Sequence, residues 1–245
     1  MKTQSINIDA VIEASYDYRY LLSRGYNYTY ALEAVTKRYM LSEIERLLLF
    51  RCIHSATYTH ETLNKIRCKC CEGLDSALII DFYNVILTIV AMMRNEPLFL
   101  CDDCLVRDLR GSKLRPSERG LLEKVFDIIT SILDNCCKSV KRIIIVADKN
   151  VSHSLDDVQR FVNTITSKHR DLETSAILSQ KSDATIISLS HEIKGIVATT
   201  DAVIIMNSQW ILPLTTIALN YLGMKPLIDF PFLFGFACPS CTYQP

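Results

Sequence analysis

Apolar residues recur along this chain with two different periods, and the change falls near residue 73. Before it, spacings of three and four dominate. In IDAVIEASYDYRYLLSRGY, Val11, Ile12, Tyr16, Tyr20 and Leu21 lie near one face of a helix, and Gly25 is placed to stop it. TYALEAVTKRYML and LSEIERLLLFRCI follow, and Ser42 with Glu45 three residues on is a capping-box pattern. Residues 1–73 therefore predict an all-helical N-terminal domain. The polar stretch RCKCCEGLD, 67–75, marks the boundary, and 74–245 reads as a second domain.

After the boundary, short apolar runs of β type alternate with amphipathic helical runs. Strands are expected at 77–81, 97–102, 142–148, 174–179 and 195–206, the last as one piece or two. Helices are expected near 84–94, 117–137, 155–168, 183–192 and 208–222. Strand–helix alternation with strands this apolar predicts an α/β fold, a parallel sheet with helices on both faces.

The expected strands end in acids. The first ends in Asp81, the second in Asp102 and Asp103, the third in Asp148 and the last in Asp201 after VATT; Asp183 stands where it can cap the helix ATIISLSHEI. In a parallel sheet with right-handed crossovers all carboxyl ends share one edge, and ligands bind in the crevice outside it. Each Asp alone can be a turn former or a cap. Together they pose a charge problem, because two carboxylates 4 Å apart repel by about 4 kcal/mol at an effective dielectric of 20. One or two Mg²⁺ or Mn²⁺ ions, which prefer carboxylate and water oxygens, would remove that cost. The matching chemistry is phosphodiester hydrolysis.

LIIDFYNV resembles the first strand of PIN-like and NYN-like nuclease domains, in which an Asp ends strand one and an Asn often follows. KSDATIISLSHEIKGIVATTDAVII resembles the later part of that pattern. The resemblance implies a Rossmann-like three-layer parallel sheet and makes Asp81, Asp183 and Asp201 metal-binding acids. Asp102, Asp103 and Asp148 are the candidates for the pattern's middle acid. It further implies RNA as partner, Asn84 as an orienting group, and cleavage by an ion-activated water that leaves a 3′-hydroxyl and a 5′-phosphate. The whole chain is similar to an uncharacterised, mainly archaeal two-part family; YDYRYLLSRGY, RYMLSEIERLLLFRC, CDDCLVRDLRGS and ADKNVSHS carry that similarity. Two other readings stay open: a non-catalytic RNA-binding or scaffolding module, and a phosphatase whose small substrate would need a closed pocket.

Other residues carry candidate chemistry. Arg107, Arg110 and Ser112 either contact a substrate phosphate or hold their loop, the arginines pairing with Asp102, Asp103 or Asp108. Ser152, His153 and Ser154 follow Asp148; no triad is fixed there, and the serines are substrate-contact or capping candidates. Cys101, Cys104, Cys238 and Cys241 form two C-x-x-C pairs with Zn²⁺ spacing, and the CKCC at 68–71 offers Cys238 and Cys241 other partners. Free thiols or disulfides are the plainer expectation. In the N-terminal region, basic residues such as Arg19, Arg38 and Arg51 lie among many tyrosines, a composition suited to single-stranded RNA or to the rims of amphipathic helices. The apolar stretch 208–222, with Trp210, reads as a buried helix or a homodimer face.

Composition narrows this only a little. The 245 residues hold 27 Lys+Arg against 27 Asp+Glu, which argues against a protein that coats nucleic acid non-specifically but allows a local basic groove. No apolar run is long enough to span a membrane, and MKTQSINIDAVIEASYDY lacks the apolar core of a signal peptide. A cytoplasmic location is expected.

Overall fold

A computed structural model describes residues 6–68, 77–111, 113–138 and 140–241. Four helices open the described chain: α1 (Ile8–Ser23), α2 (Tyr28–Arg38), α3 (Glu43–Cys52) and α4 (Ala56–Lys65). Short polar side chains start them. Asn7, Asn27 and Ser55 accept from backbone N–H groups of the first turns. The expected capping box forms at α3, with Glu45 bonding back to both the N–H and the hydroxyl of Ser42.

The rest is mixed α/β. In order come β1 (Ala77–Asp81), α5 (Phe82–Met93), β2 (Leu98–Leu100), β3 (Val106–Asp108), α6 (Leu122–Cys136), β4 (Arg142–Asp148), α7 (Ser154–Lys168), β5 (Glu173–Ser179), α8 (Ser182–Glu192), β6 (Ile196–Ala198), α9 (Ala202–Asn207), β7 (Trp210–Ile211), α10 (Leu214–Tyr221), β8 (Ile228–Asp229) and α11 (Phe230–Leu233). A five-stranded sheet has the order β5-β4-β1-β6-β7, every pairing parallel. β1 is its centre and is buried at all five positions. Leu78 and Ile80 pack toward α5, α6, α7 and α10, while Ile79 packs with Ile186, Ile204 and Ile205 from α8 and α9 on the other face. Period-two alternation of an all-apolar strand thus feeds two cores at once. Gly195 enters β6 where a Cβ would sit 3.0 Å from the carbonyl oxygen of Ala77, so only glycine lets the strands approach there.

The expected second strand does not join this sheet. β2 pairs antiparallel with β3 and parallel with β8 in a separate three-stranded sheet. Its Phe99 shares a core with Val11, Leu32, Leu48 and Leu49 of the N-terminal helices. The helical region and the α/β region are therefore held together by buried apolar surface. β3's outer edge is satisfied by α10, where Thr216 accepts from Val106 N–H and Thr215 donates to Val106 C=O. α10 itself is buried against α5 and α6, so the stretch proposed as a dimer face is covered within the chain. Trp210 lies on a strand instead of a helix, with the Arg67 guanidinium 3.7 Å above its ring. Among the described residues, no helix is long and apolar enough to cross a membrane.

The described cysteines take the plainer of the states expected of them, disulfides and free thiols. Cys104 is bonded to Cys238 and Cys68 to Cys241, whereas Cys101 is free and lies 2.6 Å from the Sγ of Cys52. The set Cys101, Cys104, Cys238 and Cys241 therefore forms no shared Zn²⁺ site; Cys70 and Cys71 lie outside the described residues. Under the large sheet, Phe82, Phe126 and Phe161 form a ring cluster, with Phe126 and Phe161 centroids 4.8 Å apart. Truncating fully buried Phe161 to Ala is expected to cost about 3–5 kcal/mol, read as a fall in the urea midpoint at unchanged slope.

Candidate functional site

Strand order reverses direction around β1: β4 and β5 lie to one side, β6 and β7 to the other. In open parallel sheets the crevice outside the carboxyl ends at such a switch point is where ligands bind. Asp81 ends β1 and leads straight into α5, and Thr199 and Asp201 follow the end of β6. Asp81 sits at the N-cap position of α5 yet makes no cap bond, because its carboxylate is engaged sideways. Its Oδ2 accepts from Asn84 Nδ2 and from Thr199 Oγ1, both at 2.6 Å. Thr199 Oγ1 in turn accepts the N–H of Asp201 at 3.0 Å, which ties the two acids' loops together. Asp201 caps α9 with Oδ1, accepting from Val203 and Ile204 N–H.

Electrostatics mark this place. Burial pushes the Asp81 carboxyl up to about 7; the Thr199 and Asn84 hydrogen bonds work against that shift, and the charges of Asp201 and Asp183 add to it. Among the described residues, none of Asp81, Asp183 and Asp201 has a salt-bridge partner. Asp183 is not the cap it was expected to be. Lys181 holds the N-cap position of α8, and Asp183 stands exposed in the first turn, near enough for its charge to act on Asp81. Asp148 ends β4, the neighbouring strand, where its Oδ1 accepts the N–H of Asn150 at 2.7 Å.

Asp102 and Asp103 lie elsewhere, in the turn between β2 and β3, fully buried and already compensated. Asp102 accepts from Arg19 at 3.0 Å and from His54 Nδ1 at 2.6 Å. Asp103 takes both Nη groups of Arg107, at 2.7 and 2.6 Å. His54, Asp102 and Asp103 place one ligand atom each within 4.8 Å of one another, the geometry of a metal cluster. Two guanidinium groups already balance the two carboxylates there, so this set has far less need of a cation than the switch-point acids. Arg107 is the loop-holding residue of the two readings open to it, since its Nε also donates to Thr200 C=O at 2.9 Å. Asp103 thus anchors, through Arg107, the loop that presents Asp201. Arg110 is likewise paired, with buried Glu118. Ser152 and Ser154 stand at the start of α7, Ser152 exposed and Ser154 buried, while exposed His153 takes a left-handed backbone at φ 65°. Ser112 lies outside the described residues.

The switch point opens into a cavity of about 960 Å³ whose walls come from both halves of the chain. Asn84, Thr88 and Asp201 line it from the α/β region; Tyr26, Tyr28 and Phe50 line it from the N-terminal helices. Sequence reasoning gave Asp108 only a loop-holding part. In the cavity wall it accepts from Thr88 Oγ1 at 2.9 Å and from Arg110 N–H at 2.7 Å, and burial raises its carboxyl above the usual range. The available signal was the four-residue spacing of Asn84 and Thr88, which puts both on the face of α5 that meets the two acids.

The family described as Domain of unknown function (DUF5616) matches residues 71–217, and that described as Protein of unknown function (DUF434) matches 10–65. The chain belongs to the DUF5616 family. The DUF5616 segment carries Asp81, Asp183 and Asp201, and the DUF434 segment carries the aromatic wall. An uncharacterised protein of Methanocaldococcus jannaschii is 27% identical over 220 residues, spanning 88% of this chain and all of that protein. The relative is thus similar across both segments. No solved structure matches the chain.

Proposed function

We propose that this protein is a metal-dependent phosphodiesterase of PIN-like type acting on RNA. The observation that carries the reading is buried Asp81 at the sheet's switch point, its carboxyl raised by burial and by the charges of Asp201 and Asp183, with no salt-bridge partner for any of the three among the described residues. Sheet order supports it. Counting only the strands of the large sheet in chain order, the arrangement is 3-2-1-4-5, the start of the doubly wound order that the PIN resemblance leads one to expect.

The donor set suits a hard cation: carboxylate oxygens only, with Asp81 carrying an unmet cost of ionisation. Asp81, Asp183 and Asp201 would hold Mg²⁺ or Mn²⁺. When bound, the ion supplies Lewis acidity to water and to phosphoryl oxygens. The chain's own contribution is position. Asn84 and Thr199 fix the Asp81 carboxylate from two sides, and Thr199 sets the start of the Asp201 turn.

Calorimetric titration of Mn²⁺ tests the reading. Wild type is expected to bind, and Asp201→Asn to bind at least about tenfold more weakly, each lost carboxylate contact being worth 1.4 kcal/mol or more. Wild type should then cleave single-stranded RNA to 5′-phosphate ends. Absence of Mn²⁺ binding with and without RNA overturns the metal site. Binding without cleavage favours a non-catalytic RNA-binding module.

A further inference from the structure

We infer that the cavity is a nucleotide site, in which the N-terminal helices supply a stacking wall for an unpaired base and Arg51 meets its phosphate. The inference takes its chemistry from the phosphodiester reading above, but the binding it describes needs no metal.

Three observations carry it. First, the wall is aromatic and open. Tyr26, Tyr28 and Phe50 are 60%, 56% and 48% exposed while lining the cavity, and the Tyr28 and Phe50 rings lie 6.0 Å apart at 42°. Large apolar rings left uncovered around a cavity mark an interaction or ligand-binding surface, and base–aromatic stacking is tolerant of sequence. Second, the cavity's cations differ in their commitments. Arg107 is spent on Asp103 and Thr200 through all three of its nitrogens, and Arg110, buried, is ion-paired through Nη2 with Glu118. Half-buried Arg51, in the last turn of α3, forms no carboxylate pair among the described residues. Its Nη1 donates to the carbonyls of Asp108 and Arg110 at 2.9 and 3.2 Å, which aims the guanidinium and leaves its other donors for an anion. Third, size and layout agree. A volume near 960 Å³ is at the upper end of small-ligand sites, and Asn84, which bonds Asp81, and Asp201 line the same cavity as the rings. A base on the rings and a phosphate at Arg51 would lie in the same cavity that Asp201 lines. A base held in a duplex cannot offer its face to this wall, so the unit bound is single-stranded.

The test is calorimetry on the full chain in EDTA, with adenosine 5′-monophosphate, adenosine and ribose 5-phosphate as probes. The monophosphate should bind, and each fragment should bind at least about tenfold more weakly. Tyr28→Ala and Tyr26→Ala should weaken the monophosphate by roughly 5- to 150-fold, the range of one lost stacking contact, and leave ribose 5-phosphate unchanged. Both rings are exposed, so folding should be unaffected, which circular dichroism checks. Arg51→Lys should weaken both phosphates and spare adenosine. Equal binding of the monophosphate and ribose 5-phosphate, monophosphate binding untouched by both tyrosine variants, or no binding of any probe overturns the inference. Mn²⁺ titration of Tyr28→Ala separates the two readings. Metal binding without nucleotide binding in wild type sinks only this inference; nucleotide binding without metal binding sinks only the catalytic one.

Discussion

Asp81→Asn should make the protein more stable above pH 7, by about 2–4 kcal/mol, because the native carboxyl titrates at about 7 instead of near 3.9. The sign follows from proton counting. Between pH 4 and 7 the folded state holds a proton on Asp81 that the unfolded state has released, so stability falls as pH rises through that window. Above 7 the carboxylate is ionised and buried, and its full cost is present. Asn cannot titrate, so the variant's stability should stay flat where the wild type's declines. Urea unfolding at pH 5 and pH 8 reads the difference directly. Equal stability of the two proteins at pH 8 would show that Asp81 carries no such cost. Saturating Mn²⁺ should restore wild-type stability at pH 8 by mass action and leave Asp81→Asn unmoved. A group that destabilises its own fold at neutral pH has to be kept for another reason, and this one stands at a ligand-binding edge.

That residue was the most legible in the chain. ALIID is too apolar for an exposed strand, so a charge at its end had to be buried, and the VATTD run gave the neighbouring strand the same form. The structure places both at one edge, with the charge of Asp183 acting on Asp81. PLFLCD looked equivalent, and its departure to a second sheet was not legible for two physical reasons. Its partners are β3, reached by a turn through Cys104 at φ 65° where no glycine signals it, and β8, more than a hundred residues downstream. Its apolar face is also needed elsewhere, since Phe99 completes the core of the N-terminal helices. A strand's hydrophobicity states that it is buried and not in which sheet. The tyrosines of GYNYTY were ambiguous for a similar reason, because amphipathic spacing cannot tell a rim that meets solvent from a wall that meets a cavity.

Asp103→Asn is expected to be the most destabilising single change at the site, costing about 3–5 kcal/mol, although Asp103 touches neither metal nor substrate in the reading above. Its carboxylate is fully buried and held by both Nη groups of Arg107, so neutralising it leaves a guanidinium inside the protein with half its partners gone. Burial alone would raise the Asp103 carboxyl; the Arg107 and His54 charges and the hydrogen bonds outweigh it and hold the group below the usual range. The stability it contributes is therefore complete above the unfolded carboxyl value and is lost as pH falls through the lower native one. The variant should lack that acid-side decline while being weaker throughout the neutral range. Replacing both partners, Asp103→Leu with Arg107→Met, should recover part of the loss, because no charge is then stranded. The pair does more than hold the core: Arg107 Nε fixes Thr200 C=O, one residue before Asp201. The double variant should therefore fold yet bind Mn²⁺ more weakly than wild type. If Asp103 were itself a metal ligand, Asp103→Asn would abolish Mn²⁺ binding at little cost in stability, and the urea midpoint decides between the two roles.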